Sequence, residues 1–195
     1  MNRLSYGVRS PAFPGIALPL LALLLLVAPT ARAQGARSTQ LLLAGGVAFP
    51  NGSYLYRLDT GYQLQGALEL TAARKTTALR VEALYNRFGF SYFNPLADCV
   101  GSCPAERAHE STLAGTLNAV LAPRTPGVPL APYFVVGAGA YKQDNTAVGA
   151  SSGTKFGLNG GVGFRIPGLH AFIEAREHVV KNAANYLPIT AGIRF

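Results

Sequence analysis

The tightest constraint on this 195-residue chain is a two-residue rhythm of apolar and polar side chains that recurs in eight segments. The last segment, residues 186–195, is the cleanest. Leu187, Ile189, Ala191, Ile193 and Phe195 fall on one face of a strand, and Pro188, Thr190, Gly192 and Arg194 on the other. The earlier segments are residues 40–49, 62–72, 77–88, 111–121, 132–142, 155–165 and 169–178. In the second, Tyr62, Leu64, Gly66, Leu68 and Leu70 oppose Gln63, Gln65, Ala67, Glu69 and Thr71. In the third, Leu79, Val81, Ala83 and Tyr85 oppose Arg80, Glu82 and Asn86, with Leu84 out of phase. In the seventh, Ala171, Ile173 and Ala175 oppose His170, Phe172, Glu174 and Arg176. Residues 132–142 are apolar on both faces, so their register stays open. A period of two throughout makes the chain all-β.

Segments of about ten residues suit strands that cross a bilayer at a tilt. An even number brings both ends of the chain to one side. Hydrocarbon cannot satisfy the amides of an open edge, so the sheet has to close. These constraints predict an eight-stranded antiparallel up-and-down transmembrane β-barrel. The intervals agree: residues 73–76, 122–131 and 166–168 read as short turns. Residues 50–61, 89–110, 143–154 and 179–185 read as loops on the other rim, so short and long alternate. Proline crowds the 122–131 turn, where a missing N–H costs no ladder bond. Glycines gather in the fifth and sixth segments, where they relieve crowding in a narrow barrel.

Ahead of the strands lies an address. Arg3 and Arg9 form a positive start, residues 16–28 are apolar apart from Pro19, and Ala31-Arg32-Ala33 is a small-x-small cleavage site. Residues 1–33 therefore read as a secretory signal peptide, and residues 34–195 as one barrel domain beginning at Gln34. Three of the eight excess positive charges, Arg3, Arg9 and Arg32, belong to the leader. The other cations are scattered without a basic-aromatic stripe, which excludes a nucleic-acid-binding class.

Alternation leaves open which face is outside. Only 13% of residues are charged, against about 25% in soluble domains. The polar face is Thr, Asn, Gln and Gly with almost no Lys, unlike a soluble surface. Its charges are balanced: Glu69, Glu82 and Glu174 against Arg80, Arg165, Arg176 and Arg194. Such a set suits an enclosed lumen, where charges must pair. Aromatic residues sit at strand ends: Phe49, Tyr62, Tyr85, Phe88, Tyr141, Phe156 and Tyr186 toward the loops, and Tyr133, Phe164 and Phe195 toward the turns. They predict two interfacial girdles. The polar face is expected inside.

The chain from residue 34 onward resembles the small eight-stranded outer-membrane barrels of the OmpA/OmpX and opacity-protein type. The residues that carry the resemblance are the leader's Ala31-Arg32-Ala33, the strand Ala171-Phe172-Ile173-Glu174-Ala175-Arg176, and the closing Leu187-Pro188-Ile189-Thr190-Ala191-Gly192-Ile193-Arg194-Phe195. The resemblance implies a bacterial outer-membrane location with both termini periplasmic, and contact with outer-membrane lipid and lipopolysaccharide. It also implies that Phe195 is the insertion signal for the barrel-insertion machinery. The expected form is a monomer.

The family includes adhesins, structural barrels and a few enzymes, so the fold does not decide the function. The leading expectation is a non-enzymatic barrel whose loops, residues 89–110 above all, contact an extracellular ligand. The alternatives are a structural envelope barrel and, less favoured, a lipid-modifying enzyme or a narrow channel. Eight strands leave an interior just filled by side chains. A deacylase-like His-x-Ser pair is missing after His178 and His170; only His109-Glu110-Ser111 has the spacing. No catalytic, cofactor or metal residues are therefore assigned, and no cofactor is expected. Cys99 and Cys103, two thiols of an exported chain and its only Cys, are expected to form a disulfide within the longest loop. They offer two ligands of the four a structural zinc needs.

Overall fold

In a computed structural model, residues 38–51, 58–71, 76–92, 105–123, 127–147 and 152–195 are described. They belong to the compact unit Ala36–Phe195. The leader, Cys99 and Cys103 lie outside the described residues. Eight strands, β1 (Ser38–Asn51), β2 (Gly61–Thr71), β3 (Thr77–Tyr92), β4 (Glu106–Leu121), β5 (Ala131–Asn145), β6 (Gly153–Ile166), β7 (Ala171–Val180) and β8 (Asn185–Arg194), form a closed barrel in sequence order. Every pairing is antiparallel. The seam is β1 on β8, and Phe195 completes it: its N–H donates to the Leu41 carbonyl at 2.9 Å, and Leu41 N–H donates to the Phe195 carbonyl at 3.2 Å. Closure leaves no edge.

The faces sort as the alternation predicts. Leu64, Leu117, Phe134, Val136, Phe156 and Leu158 are each more than half exposed on the outer wall, whereas Glu69, Arg80, Glu82, Asn118, Glu174 and Arg176 are fully buried inside. This inverts a water-soluble protein. The apolar wall is continuous around all eight strands, far larger than the patches of a few hundred Å² that monomeric soluble proteins tolerate. A bilayer supplies the apolar neighbour that this wall requires, and the strands satisfy one another's amides. We therefore describe a transmembrane barrel with a turn rim, carrying Ser38 and Phe195, and a loop rim opposite.

Register settles β5: Tyr133, Val135, Gly137, Gly139, Tyr141 and Gln143 point inward, while Phe134, Val136 and Lys142 point outward. Leu84 breaks the rhythm of β3 because it joins an interior cluster with Phe88, Tyr141, Val180 and Tyr186.

Three expectations change. Tyr133, Phe88, Tyr141 and Tyr186 are not girdle residues; they are at most 1% exposed and fill the interior. Phe49, Tyr62, Phe156, Phe164 and Phe195 do stand on the outer wall. Loop length does not alternate without exception, because β7 and β8 are joined at the loop rim by residues 181–184 alone. Asn182 supplies the positive φ of 56° that this tight connection needs. Finally, β3 and β4 run past the outer apolar belt as a hairpin, so much of residues 89–110 is strand rather than loop.

The β7–β8 pairing runs from Ala171↔Ile193 to Ala175↔Ile189 and resumes at His178↔Tyr186. Pro188, which has no N–H to give, lies in the gap.

Candidate functional site

The charged groups of the lumen stand at inward positions of β2, β3, β6, β7 and β8. From the turn rim, Arg165 and Arg194 both approach Glu69 Oε1, at 2.7 and 3.6 Å. Arg194 also donates to Gln40 Oε1. Arg80 donates to Glu69 Oε2 through Nε at 3.2 Å and Nη2 at 2.9 Å, and to Glu174 Oε2 through Nη1 at 2.7 Å. Arg176 lies 2.7 Å from Glu174 Oε1 and holds Glu82 with two nearly parallel bonds, 2.6 and 2.9 Å. The series Arg165/Arg194, Glu69, Arg80, Glu174, Arg176, Glu82 thus alternates in sign along the interior. All seven residues expected to form the charge network lie within it.

Neutral groups complete the series. Asn118 donates to Glu82 Oε2 at 3.2 Å, and the Tyr133 hydroxyl donates to Glu174 Oε2 at 2.7 Å. The Arg80 and Arg165 guanidinium carbons stand 5.5 and 5.0 Å from the Tyr133 ring centroid. Burying such charges is costly unless each meets opposite charge and hydrogen-bond partners; here Glu69 and Glu174 each meet more than one guanidinium. Tyr133 can lie across β6 because Gly163 has no side chain. A Cβ there would sit 2.3 Å from Tyr133 Cζ.

Above this network the interior is closed by rings. His178 stacks on Tyr186 with centroids 4.8 Å apart, Tyr141 Oη is 2.9 Å from His178 Nδ1, and Phe88 packs on Tyr186 at 5.7 Å. Gln63, Asn86, Thr112 and Gln143 form one cross-strand row on β2 to β5. Sequence reasoning missed the interior roles of Tyr133, Tyr141, Tyr186 and Gln40. The facing glycine of β6 signals Tyr133, but only once the β5 register is known.

At the loop rim the β3–β4 hairpin rises with Phe88, Phe90 and Tyr92 on its inner side. Leu58 and Ala147 pack against Phe90 and Tyr92. Asp59 N–H donates to the Gly89 carbonyl at 2.7 Å, and Thr146 N–H donates to the His109 carbonyl at 3.1 Å. The hairpin is therefore a supported wall. Phe90 and Tyr92, though within the span 89–110 expected to contact a ligand, are buried in it and are not open to a partner. The outward side carries Arg87, Ser91 and Arg107. His109 and Ser111 face outward and Glu110 inward, so the one trio with enzyme-like spacing does not converge. Among the described residues, no group of three or more His, Cys, Asp and Glu side chains is placed to hold a metal ion.

No family model and no curated protein matches this chain. Solved structures similar to it include Ail, the attachment invasion locus protein of Yersinia pestis, at 16% identity, covering 83% of this chain and 100% of that one, TM-score 0.45. Neisserial surface protein A is similar at 18% identity over 82% and 96%, TM-score 0.46. The N-terminal β-barrel domain of Pseudomonas aeruginosa OprF is similar at 13% identity over 83% and 98%, TM-score 0.44.

Proposed function

We propose that this protein is a non-enzymatic barrel of a bacterial outer membrane that presents its loop rim for contact outside the cell. The observation that carries the proposal is the pairing of a sealed interior with a raised rim. Charges and rings fill the lumen, so nothing in it serves a large solute, while β3 and β4 extend past the outer apolar belt. A rigid scaffold holding a variable loop is where binding surfaces arise.

In this proposal the leader is removed before Gln34, both termini lie in the periplasm, and the barrel works as a monomer inserted by machinery that reads Phe195. The outer wall meets lipid and lipopolysaccharide. The contact surface is the outward side of the hairpin, Arg87, Ser91 and Arg107, together with the loop stapled by Cys99–Cys103. Arg87 and Arg107 make this outward side polar and basic, as suits an interface rim, while Glu106 turns inward to accept from the Tyr92 hydroxyl at 3.0 Å. A purely structural envelope role is the second reading, favoured by the burial of Phe90 and Tyr92, which makes the wall self-supporting.

Deleting residues 94–104 tests the two readings, because it removes the loop and leaves both strands whole. The expected result is a barrel that stays folded and heat-modifiable on a gel while cells lose attachment to a host surface or matrix. Unchanged attachment with new detergent sensitivity in cells lacking the whole protein would establish the structural role instead.

A further inference from the structure

The lumen charges do not balance at one end. Glu82, Glu174 and Glu69 face Arg80 and Arg176 in the middle, and then both Arg165 and Arg194 at the turn rim. Glu69 alone answers three guanidinium groups there. Its Oε2 is taken by Arg80, and its Oε1 is shared between Arg165 at 2.7 Å and Arg194 at 3.6 Å. The network therefore carries one cation more than it has carboxylates, and the excess sits at the mouth. Arg194 Nε is buried without a hydrogen-bond acceptor among the described residues. Arg165 and Arg194 remain 14% and 16% exposed, so both can be reached from that mouth, whereas Arg80 and Arg176 cannot, at 1%.

No Asp or Glu side chain near this mouth supplies the missing negative charge, and the Phe195 carboxylate at the same rim makes no ion pair with Arg165 or Arg194 among the described residues. Residues 72–76, 122–130 and 167–170, which join the strands at this rim, include Arg74, Lys75 and Arg124 but no Asp or Glu. Among the described residues the other Asp and Glu side chains lie toward the opposite rim: Asp59, Glu106, Glu110, Asp144 and Glu177. A single-sign mouth with low-dielectric walls concentrates counter-ions. Two guanidinium forks side by side match the oxygens of a phosphate, which accepts parallel N–H bonds from each.

We propose that Arg165 and Arg194 form an anion site at the turn-rim mouth of the lumen, and that it takes a phosphate-class oxyanion. Glu69 holds the two guanidinium groups in place, and the oxyanion supplies the charge that Glu69 cannot. This goes beyond a loop-rim contact role and does not depend on it, since the site lies at the other end of the barrel.

The test is calorimetric titration of the refolded full barrel in neutral detergent with inorganic phosphate, at ionic strength held constant with chloride. Arg Nε–H resonances are followed in parallel. Saturable binding that moves the Arg194 Nε–H signal is expected. Arg194→Gln and Arg165→Gln should each weaken it by about tenfold or more, the scale of one charge-assisted hydrogen bond. Lys181→Gln, at the opposite rim, should leave it unchanged. A barrel in phosphatidylglycerol nanodiscs, compared with phosphatidylcholine nanodiscs, separates the sources. An Arg194 shift from phosphatidylglycerol alone assigns the site to a lipid headgroup, and a shift from free phosphate in both discs assigns it to a soluble anion. No saturable response from either source, or binding in both Arg variants as tight as in the unsubstituted barrel, would overturn the proposal. Should Arg194→Gln fail to refold, Arg165→Gln carries the comparison.

Discussion

The Tyr133 hydroxyl donates to Glu174 Oε2 at 2.7 Å across the strand that separates them. Tyr133 pairs with Gly163, and Gly163 pairs with Glu174, so the three residues lie in one cross-strand row. The ring passes over the glycine. A large residue, an empty position and a carboxylate on three successive strands thus place a neutral donor against the carboxylate that joins Arg80 to Arg176.

That row gives the first prediction. Gly163→Ala sets a methyl 2.3 Å from Tyr133 Cζ and 2.5 Å from its hydroxyl oxygen. The ring must move, and overpacking of this kind costs about 1–3 kcal/mol. The urea midpoint of the refolded barrel should fall accordingly. Tyr133→Phe keeps the ring and loses only the hydroxyl, so its midpoint should fall less. A larger fall for Tyr133→Phe would mean that the ring does not lie over residue 163.

The second prediction concerns Glu174, whose oxygens meet Arg80, Arg176 and Tyr133. Glu174→Leu leaves two buried guanidinium groups short of charge. Stranding a buried partner costs about 3–5 kcal/mol. Glu82→Leu removes the two bonds that Arg176 makes to Glu82, leaving it Glu174 as its carboxylate partner, and should act in the same direction, as should Glu69→Leu. Equal midpoints for wild type and all three variants would show that these side chains are solvated.

Most of the fold could be read from the chain because a bilayer-spanning sheet imposes one simple pattern. Leu187 through Phe195 or Tyr62 through Leu70 declare their two faces residue by residue, and a lumen of charged groups follows once the apolar face is set outward. The failures have a common physical source. The interior of this narrow barrel is itself partly apolar, so Leu84, Tyr133, Tyr141 and Phe172 carry no signal that distinguishes inside from outside. In β5 both faces are apolar, and only pairing with Asn118 and Leu117 on β4 and with the glycines of β6 fixes which is which. Tyr186 and Phe88 look like interfacial rings in sequence, yet they stack inside, because period two alone assigns a side and not a role. The partners of the charges were legible only as a set. Which Arg meets which Glu depends on strands far apart in sequence, as with Arg176 on β7 and Glu82 on β3.

The third prediction follows from that filled interior. With the Glu69–Glu82 series below and the Tyr141–His178–Tyr186 stack above, no wide aqueous path crosses the barrel. Reconstituted in a planar bilayer, the protein should give little or no conductance. Stable, large, porin-like steps would contradict the packing described.

The last prediction tests which solvent meets the outer wall. Leu117 stands at the middle of β4, flanked on the same face by Leu113, Gly115, Ala119 and Leu121, and is 54% exposed. On a water-facing surface, replacing it with Arg would change stability by no more than about 0.5 kcal/mol, since exposed positions tolerate polar side chains. On a lipid-facing wall the guanidinium sits near the bilayer midplane, where it costs about 2–4 kcal/mol. Arg87 sits on the same outward side of the neighbouring strand β3, beyond the belt, so a cation at the rim is already tolerated. Leu117→Arg should therefore lower the folding midpoint in phospholipid vesicles by the larger amount. Ser111→Arg, on the same face of β4 but level with Arg87, should cost at most about 1 kcal/mol. A depth-independent cost for the two variants would remove the bilayer from the outer wall.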